Sequence, residues 1–254
     1  MENVYLHETE RIDDLLTKNM KIIQSNEVFC FSMDAVLLSH FVSLPVQKGK
    51  VIDLCTGNGV IPLLLSTRTK GNIHGVEIQA RLADMAKRNV ELNHLTDRIH
   101  IYHDDVKQAS NYLTPGAYDV LTCNPPYLPL QRGMHNANDH FSIARHEIKL
   151  TLEEMILVSA KLVRTGGKVA YVHRPSRLAD LITYMRKYKI EPKRIRFVHP
   201  NIKAEANMVL IEGIRDGKPD IKVLPPLIVY EENGEYCQEI YEIYYKEIGG
   251  DKTC

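Results

Sequence analysis

The sequence predicts an α/β protein built on a doubly wound, mostly parallel sheet with an antiparallel edge strand. Three observations predict it. Short apolar runs alternate with helical patterns from Lys50 onward. A glycine turn, Gly57-Asn58-Gly59, directly follows the first apolar run. Asp53, Glu77, Asp105 and Asn124 then stand where four successive strands should end. Ligands of open α/β sheets bind at the carboxyl ends of strands, so four such residues on one edge mark a site.

The first strand is carried by Val51, Ile52 and Leu54. Gly57 and Gly59 permit a tight turn and close approach of a ligand to the backbone. Pro62 fits the first turn of the helix that follows. Asp53, Thr56, Gly57, Asn58 and Gly59 are the candidate contacts here. The turn lacks full G-x-G-x-x-G spacing, because Pro62 takes the third place, and a carboxylate at Asp53 is a poor neighbour for a pyrophosphate. Both facts argue against a nicotinamide dinucleotide.

Asn72 to Ile78 is the second strand. It closes on Glu77, about 20 residues past the glycine turn, where an acidic residue takes ribose hydroxyls. Gln79 to Asn93 places Leu82, Met85, Ala86 and Val90 at helical spacing and reads as a crossover helix. Arg98 to Val106 is a third strand and its exit. The Asp104-Asp105 pair reads as a ligand contact or as a solvated acidic turn, with Asp105, next to the apolar Val106, the stronger candidate.

Tyr118 to Cys123 is the fourth strand, and Asn124-Pro125-Pro126-Tyr127 follows it. Two prolines end the ladder and stiffen the exit. The Asn124 side chain and the Pro125 carbonyl can then be held as paired acceptors, which suits a planar NH2 group with two N–H donors. Tyr127 offers a ring for stacking. Leu150 to Val163 predicts a helix stopped by Gly166-Gly167, and Lys168 to Val172 a fifth strand. A helix from Pro175 to about Tyr188 and strands over Arg194–His199 and Asn207–Ile214 complete the pattern.

Two segments lie outside it. Residues 1–47 are expected to form a cap packed on a catalytic domain of residues 48–254. Within the cap, Ser32 or Asp34 is expected to cap a short helix from Ala35 to Phe41. Leu128 to Lys149 is a long polar loop rich in His, Asn and Arg, which suits a polar partner. Arg174, Arg177, Arg186, Lys187, Lys189, Lys193, Arg194 and Arg196 form a basic run, either an RNA-facing surface or a solvated helix face.

At 254 residues the chain can bury one good core with an appendage. Formal net charge is zero, which leaves a local basic face open. No apolar stretch is long enough to span a membrane, and the acidic N-terminus does not resemble a secretory signal. Five cysteines show no paired metal spacing and read as reduced thiols of a cytoplasmic protein. No metal is expected.

Asn124-Pro125-Pro126-Tyr127 is the tetrapeptide of amino-directed methyltransferases that use S-adenosylmethionine, and Asp53-x-x-x-Gly57-x-Gly59 resembles the first motif of class I methyltransferases. Nearly the whole chain resembles the bacterial tRNA1(Val) adenine-37 N6-methyltransferase family. The resemblance rests on those two motifs with Phe31-Ser32-Met33-Asp34-Ala35-Val36-Leu37-Leu38, Ala144-Arg145-His146-Glu147 and Pro226-Leu227-Ile228-Val229-Tyr230. It implies a Rossmann-like sheet of seven strands, S-adenosylmethionine as cofactor and the anticodon loop of a tRNA as partner. It further implies cofactor contacts from Phe31, Ser32, Asp53, Thr56, Gly57, Asn58, Gly59, Glu77, Ile78, Asp104, Asp105, Val106 and Asn124, the aspartates near the adenine amine. Catalysis would fall to Asn124, Pro125, Pro126 and Tyr127. Three rivals share parts of this pattern. Glutamine N5-methyltransferases carry the same tetrapeptide but usually a larger helical domain before the first motif, where this chain has about 50 residues. Ribosomal RNA guanine N2-methyltransferases also carry it. A non-catalytic RNA-binding module on the same fold is the third, and the intact motifs weigh against it.

Overall fold

A computed structural model describes residues 4–15, 17–28, 31–125 and 150–245. β1 (Glu10–Asp14) and β2 (Lys21–Ser25) pair antiparallel as a two-stranded sheet of their own. α1 (Met33–Phe41) follows, then β3 (Lys50–Leu54), α2 (Val60–Ser66), β4 (Asn72–Glu77), α3 (Ala80–Leu92) and β5 (Ile99–His103). A 3-10 turn at Val106–Gln108 and the short α4 (Ala109–Tyr112) lead to β6 (Tyr118–Cys123). Next come α5 (Leu152–Leu162), β7 (Val163–His173), α6 (Leu178–Lys187), β8 (Ile190–His199) and β9 (Met208–Arg215). The two-residue strands β10 (Lys222–Val223) and β11 (Leu227–Ile228) and a final α7 (Gln238–Tyr245) finish the chain.

The long strands lie in the order β8-β9-β7-β6-β3-β4-β5, with β10 and β11 both paired to β8. Pairing is parallel except where β9 meets β7 and β8. The seven long strands expected from the sequence are present. The antiparallel strand is β9, one place in from the edge. The chain winds outward from β3 to β5 and then returns to β6 on the other side of β3. That reversal puts the switch point, and the crevice it opens, between β3 and β6.

Alternation along the strands sorts the core into two layers. Val51, Val120, Ala170, Val172 and Leu210 face α1, α2 and Ile240 of α7. Ile52, Leu54, Leu121, Val169, Tyr171 and Ile211 face α5 and α6. Side chains two residues apart on a strand share a face, and both faces are covered, so these strands are mostly apolar.

Three local expectations are corrected. Gly166 and Gly167 do not stop a helix: α5 ends at Leu162, and Val163 is already extended at φ −83°, ψ 134°. A β-branched residue that pairs with Tyr118 begins the strand instead. Ser32 occupies the N-cap position of α1, but its hydroxyl donates to Asp34 Oδ1 at 2.6 Å, and the helix starts at Met33. The β1–β2 hairpin was not expected. It is fastened to α3 by Arg88, whose guanidinium donates to both Glu10 oxygens at 2.6 and 2.8 Å. Ile23 is buried with Val28, Leu82 and Met85 beneath it.

Candidate active site

The crevice at the switch point contains a pocket walled by Phe31, Cys55, Gly57, Glu77, Asp105 and Asn124, with other side chains between them. Four adjacent strands contribute to it through their carboxyl ends.

The turn after β3 is held open by backbone conformation. Cys55, Gly57 and Gly59 have φ of 57°, 57° and 86°. The left-handed region is costly for a residue with a Cβ, and strain of this kind concentrates at ligand sites. A Cβ at Gly57, which lines the pocket, would meet nothing within 4 Å, so the space beside its backbone is open. A Cβ at Gly59 would lie 3.2 Å from Ala86 Cβ, so this glycine lets α3 pack against the turn. The two glycines therefore do different work.

Glu77 ends β4 and is 5% exposed. Its Oε2 accepts from Gly57 N and its Oε1 from Gln79 N, both at 2.9 Å. Burial raises its pKa and outweighs these backbone hydrogen bonds. Asp105 caps the 3-10 turn through Lys107 N at 2.9 Å while lining the pocket. Asp104 is spent on the Asp105 amide at 2.7 Å and does not line it. Asn124 follows the last residue of β6 and lines the pocket beside Leu150.

Of the other expected contacts, Phe31, Thr56, Asn58, Ile78 and Val106 line the pocket. The Asn58 side chain turns away from it to donate to Ile23 O at 3.3 Å. Ser32 and Gly59 stand behind the wall. So does Asp53, the main departure from the sequence reading. Asp53 has no solvent exposure and lies on the α2 face of β3. Its two oxygens accept from Thr56 Oγ1 and Thr122 Oγ1, each at 2.7 Å. Burial pushes its pKa up to about 7, against those two hydrogen bonds and with the Glu77 charge adding to the rise. It clamps the glycine turn of β3 to β6 and does not line the pocket. Pro125 is buried at the end of β6. Pro126, Tyr127 and Ala144–Glu147 lie outside the described residues.

The pocket also uses residues the sequence reading did not single out: Ala35, Cys55, Gln79 and Leu82 among them. Leu82 carried a signal, since it is the first large apolar residue of α3 and stands four residues after Ile78. Cys55 carried none beyond its place before the glycines. It and Cys123 are free thiols, and burial holds the Cys123 thiol well above its ordinary pKa.

A doubly wound sheet with a glycine turn, an acidic strand end and an amide at one switch point defines an α/β protein with a pocket suited to a nucleoside-type ligand. The chain belongs to the methyltransferase small domain family, whose model matches residues 19–181. Among curated proteins it is 29% identical over 194 residues to the tRNA1(Val) (adenine(37)-N6)-methyltransferase of Porphyromonas gingivalis, covering 74% of this chain and 75% of that one. The protein of the same name from Photobacterium profundum is 28% identical, covering 71% and 75%. That from Yersinia pestis is 34% identical, over 55% of each chain. Among solved structures, a predicted O-methyltransferase of Agrobacterium tumefaciens aligns with a TM-score of 0.68 at 20% identity, covering 84% of this chain and 95% of that one. Geranyl diphosphate C-methyltransferase of Streptomyces coelicolor, solved with S-adenosyl-L-homocysteine, aligns with a TM-score of 0.55 at 13% identity, covering 71% and 78%. These two likenesses bear on the fold alone.

Proposed function

We propose that this protein transfers a methyl group from S-adenosylmethionine to the exocyclic N6 amine of an adenine in tRNA, at position 37 of a valine tRNA. One observation carries the reading: Asn124, an amide at the end of β6, lines the same pocket as Gly57 and Glu77. In this reading the amide is the acceptor for an amine, beside the nucleoside part of the cofactor. The names of the relatives support the same substrate.

The pocket's residues fit S-adenosylmethionine. The open space at Gly57 allows a ligand to approach the backbone, the Glu77 carboxylate suits ribose hydroxyls, and Ile78, Leu82 and Val106 give apolar walls for a base. Bound there, S-adenosylmethionine supplies an electrophilic methyl carbon on a sulfonium.

The chain's own residues deal with the nucleophile. An adenine amine is weakly nucleophilic because its lone pair is delocalised into the ring. The Asn124 Oδ1 and the Pro125 carbonyl would accept its two N–H groups, draw the nitrogen toward tetrahedral geometry and stabilise the positive charge that develops on it. Holding the amine in line is a large part of the rate. Tyr127 would stack on the flipped base, a contact worth about 1–3 kcal/mol in single-strand binders. An anticodon loop presents such a base already unpaired. Asp53 acts at one remove, by fixing Thr56 and Thr122.

Incubation of total tRNA with the protein and a methyl-labelled donor, followed by nucleoside analysis, tests the reading. Label in N6-methyladenosine is expected. Label in N2-methylguanosine, or in protein glutamine, would replace it with one of the rival activities.

A further inference from the structure

The basic run of the sequence is split by the fold. Arg194 and Arg196 lie on the α1 side of β8. Arg194 covers the Phe41 ring at 4.6 Å and pairs with Glu212, while Arg196 pairs with Glu239 of α7. Lys187 and Lys189 end up elsewhere, at the sheet edge opposite the pocket, where α5 and α6 both terminate. There they line a second cleft with Lys161, Arg164 and Arg215.

Among the described residues five cations surround this cleft, and three carboxylates reach them: Asp119 meets Arg164 at 2.7 Å, Glu153 meets Lys187 at 2.5 Å, and Asp216 meets Arg215 at 2.8 Å. Lys161 and Lys189 are exposed and have no carboxylate partner among the described residues. Cations at helix ends complement the carbonyl dipoles there. Arg215 already does so, donating to the Ala160, Tyr188 and Lys189 carbonyls at 3.1 to 3.2 Å. Two lysines remain beyond that need. Lys189 is moreover a side-chain-bearing residue at φ 58°, with its carbonyl pinned by Arg215 Nη1 and Asp216 N. Glycine or asparagine would meet the backbone requirement with less strain.

The cleft and the pocket lie at the two ends of the same strand. Tyr118, at the start of β6, pairs with the cleft residue Val163, and Asn124 follows the strand's far end. Six residues of strand span about 20 Å. α6, about 15 Å long, runs back along the same layer from Leu178 to Lys187 at the cleft. We propose that this cleft holds the phosphate backbone of the tRNA stem that continues from the loop delivered to Asn124, with Lys161 and Lys189 as the phosphate contacts. The proposal rests on the tRNA reading above. Proteins meet RNA stems mostly through phosphate and shape, and the partner's charge complements the cleft.

The test is the double variant Lys161→Glu/Lys189→Glu of the full chain. Binding of total tRNA is measured as a function of KCl, and methyl transfer is measured separately on tRNA and on a short single-stranded anticodon-loop oligonucleotide. Tenfold or greater loss of tRNA affinity is expected, with the log–log salt slope shallower by roughly 1.4–1.8, the sum for two phosphate contacts. KM for tRNA should rise with kcat within twofold and activity on the oligonucleotide should stay as in the wild type, with the thermal midpoint lowered by no more than a few degrees because the reversed charges face helix-end carbonyls. An unchanged affinity and salt slope would reduce the two lysines to helix-end cations and overturn the proposal, as would an equal loss on the oligonucleotide. Because binding and turnover are read apart, lysine-dependent tRNA binding without N6-methyladenosine keeps the cleft and removes the reaction. N6-methyladenosine with lysine-independent binding does the reverse.

Discussion

The Gly57 amide donates to Glu77 Oε2 at 2.9 Å, so the turn after β3 and the acidic end of β4 are one hydrogen-bonded unit. The residue expected to meet the ribose also sets the conformation of the loop that must admit the cofactor.

Glu77→Ala should therefore weaken S-adenosylmethionine binding twice over, by removing an acceptor and by releasing Gly57. Loss of one hydrogen bond to a charged group costs roughly 1.5–3 kcal/mol, or about 10- to 100-fold in affinity. Glu77→Gln keeps an oxygen for one of the two amides and should fall between. Titration calorimetry giving wild-type affinity in both variants would take Glu77 out of the site.

Asp53 predicts a pH effect on stability. Its carboxyl carries a proton up to about pH 7 when folded, against an ordinary value of 3.8. Below that ordinary value it is protonated in both states, and its contribution is complete. As pH rises from about 4 to about 7 the unfolded chain ionises first, so the contribution is lost, at 1.36 kcal/mol per pH unit and roughly 4 kcal/mol in all. Asp53→Asn cannot titrate. Urea unfolding of both proteins at pH 4.5 and 7.5 should show the wild type losing ground to the variant at the higher pH. A constant difference would mean that Asp53 is ionised throughout.

The two glycines of the turn should fail in different ways. Gly57→Ala adds a methyl group to the crevice and should lower cofactor affinity at least tenfold, with about 1 kcal/mol of backbone strain. Gly59→Ala presses on Ala86 at 3.2 Å and should lower the thermal midpoint by several degrees, with the larger share of its effect on folding. Equal effects of both variants on both measurements would remove the distinction.

Asn124→Ala should leave cofactor affinity nearly intact and slow single-turnover methyl transfer by about 10²-fold or more, the scale for one preorganised polar group aimed at developing charge. Tyr127→Ala should raise KM for RNA, with Tyr127→Phe close to wild type, because the ring does the stacking. Wild-type rates from Asn124→Ala would leave it a turn residue only.

The strand ends and the glycine turn were legible because apolar period and Gly/Pro punctuation depend on local chemistry. Glu77, Asp105 and Asn124 could thus be placed on one edge from the sequence. The burial of Asp53 behind the pocket wall turns on a distinction the pattern does not hold. Its face, shared with Val51, follows from alternation, but its partners Thr56 and Thr122 come together only when β3 pairs with β6. The β1–β2 hairpin escaped notice because Glu10–Asp14 is polar, mostly exposed and without an apolar face. Its anchor was visible in hindsight as Asn89, an amide on the inner side of α3 with no solvent exposure. The basic run stayed undivided in the sequence because charge says nothing about side. The period of β8 sends Arg194 and Arg196 to one layer, and the turn after α6 leaves Lys187 and Lys189 on the other.

Asn89 has a further consequence. Its Oδ1 takes the Ile23 amide at 2.5 Å, its Nδ2 gives to the Asn58 carbonyl at 2.9 Å, and the Asn58 side chain returns to the Ile23 carbonyl. Hairpin, helix and glycine turn thus close a ring of amides that couples them. A ligand that stills the turn must also suppress opening of β2, by the same free energy that β2 lends to the ligand's affinity. The Ile23 amide, far along the chain from either motif, becomes a reporter: its hydrogen exchange should slow when the pocket fills.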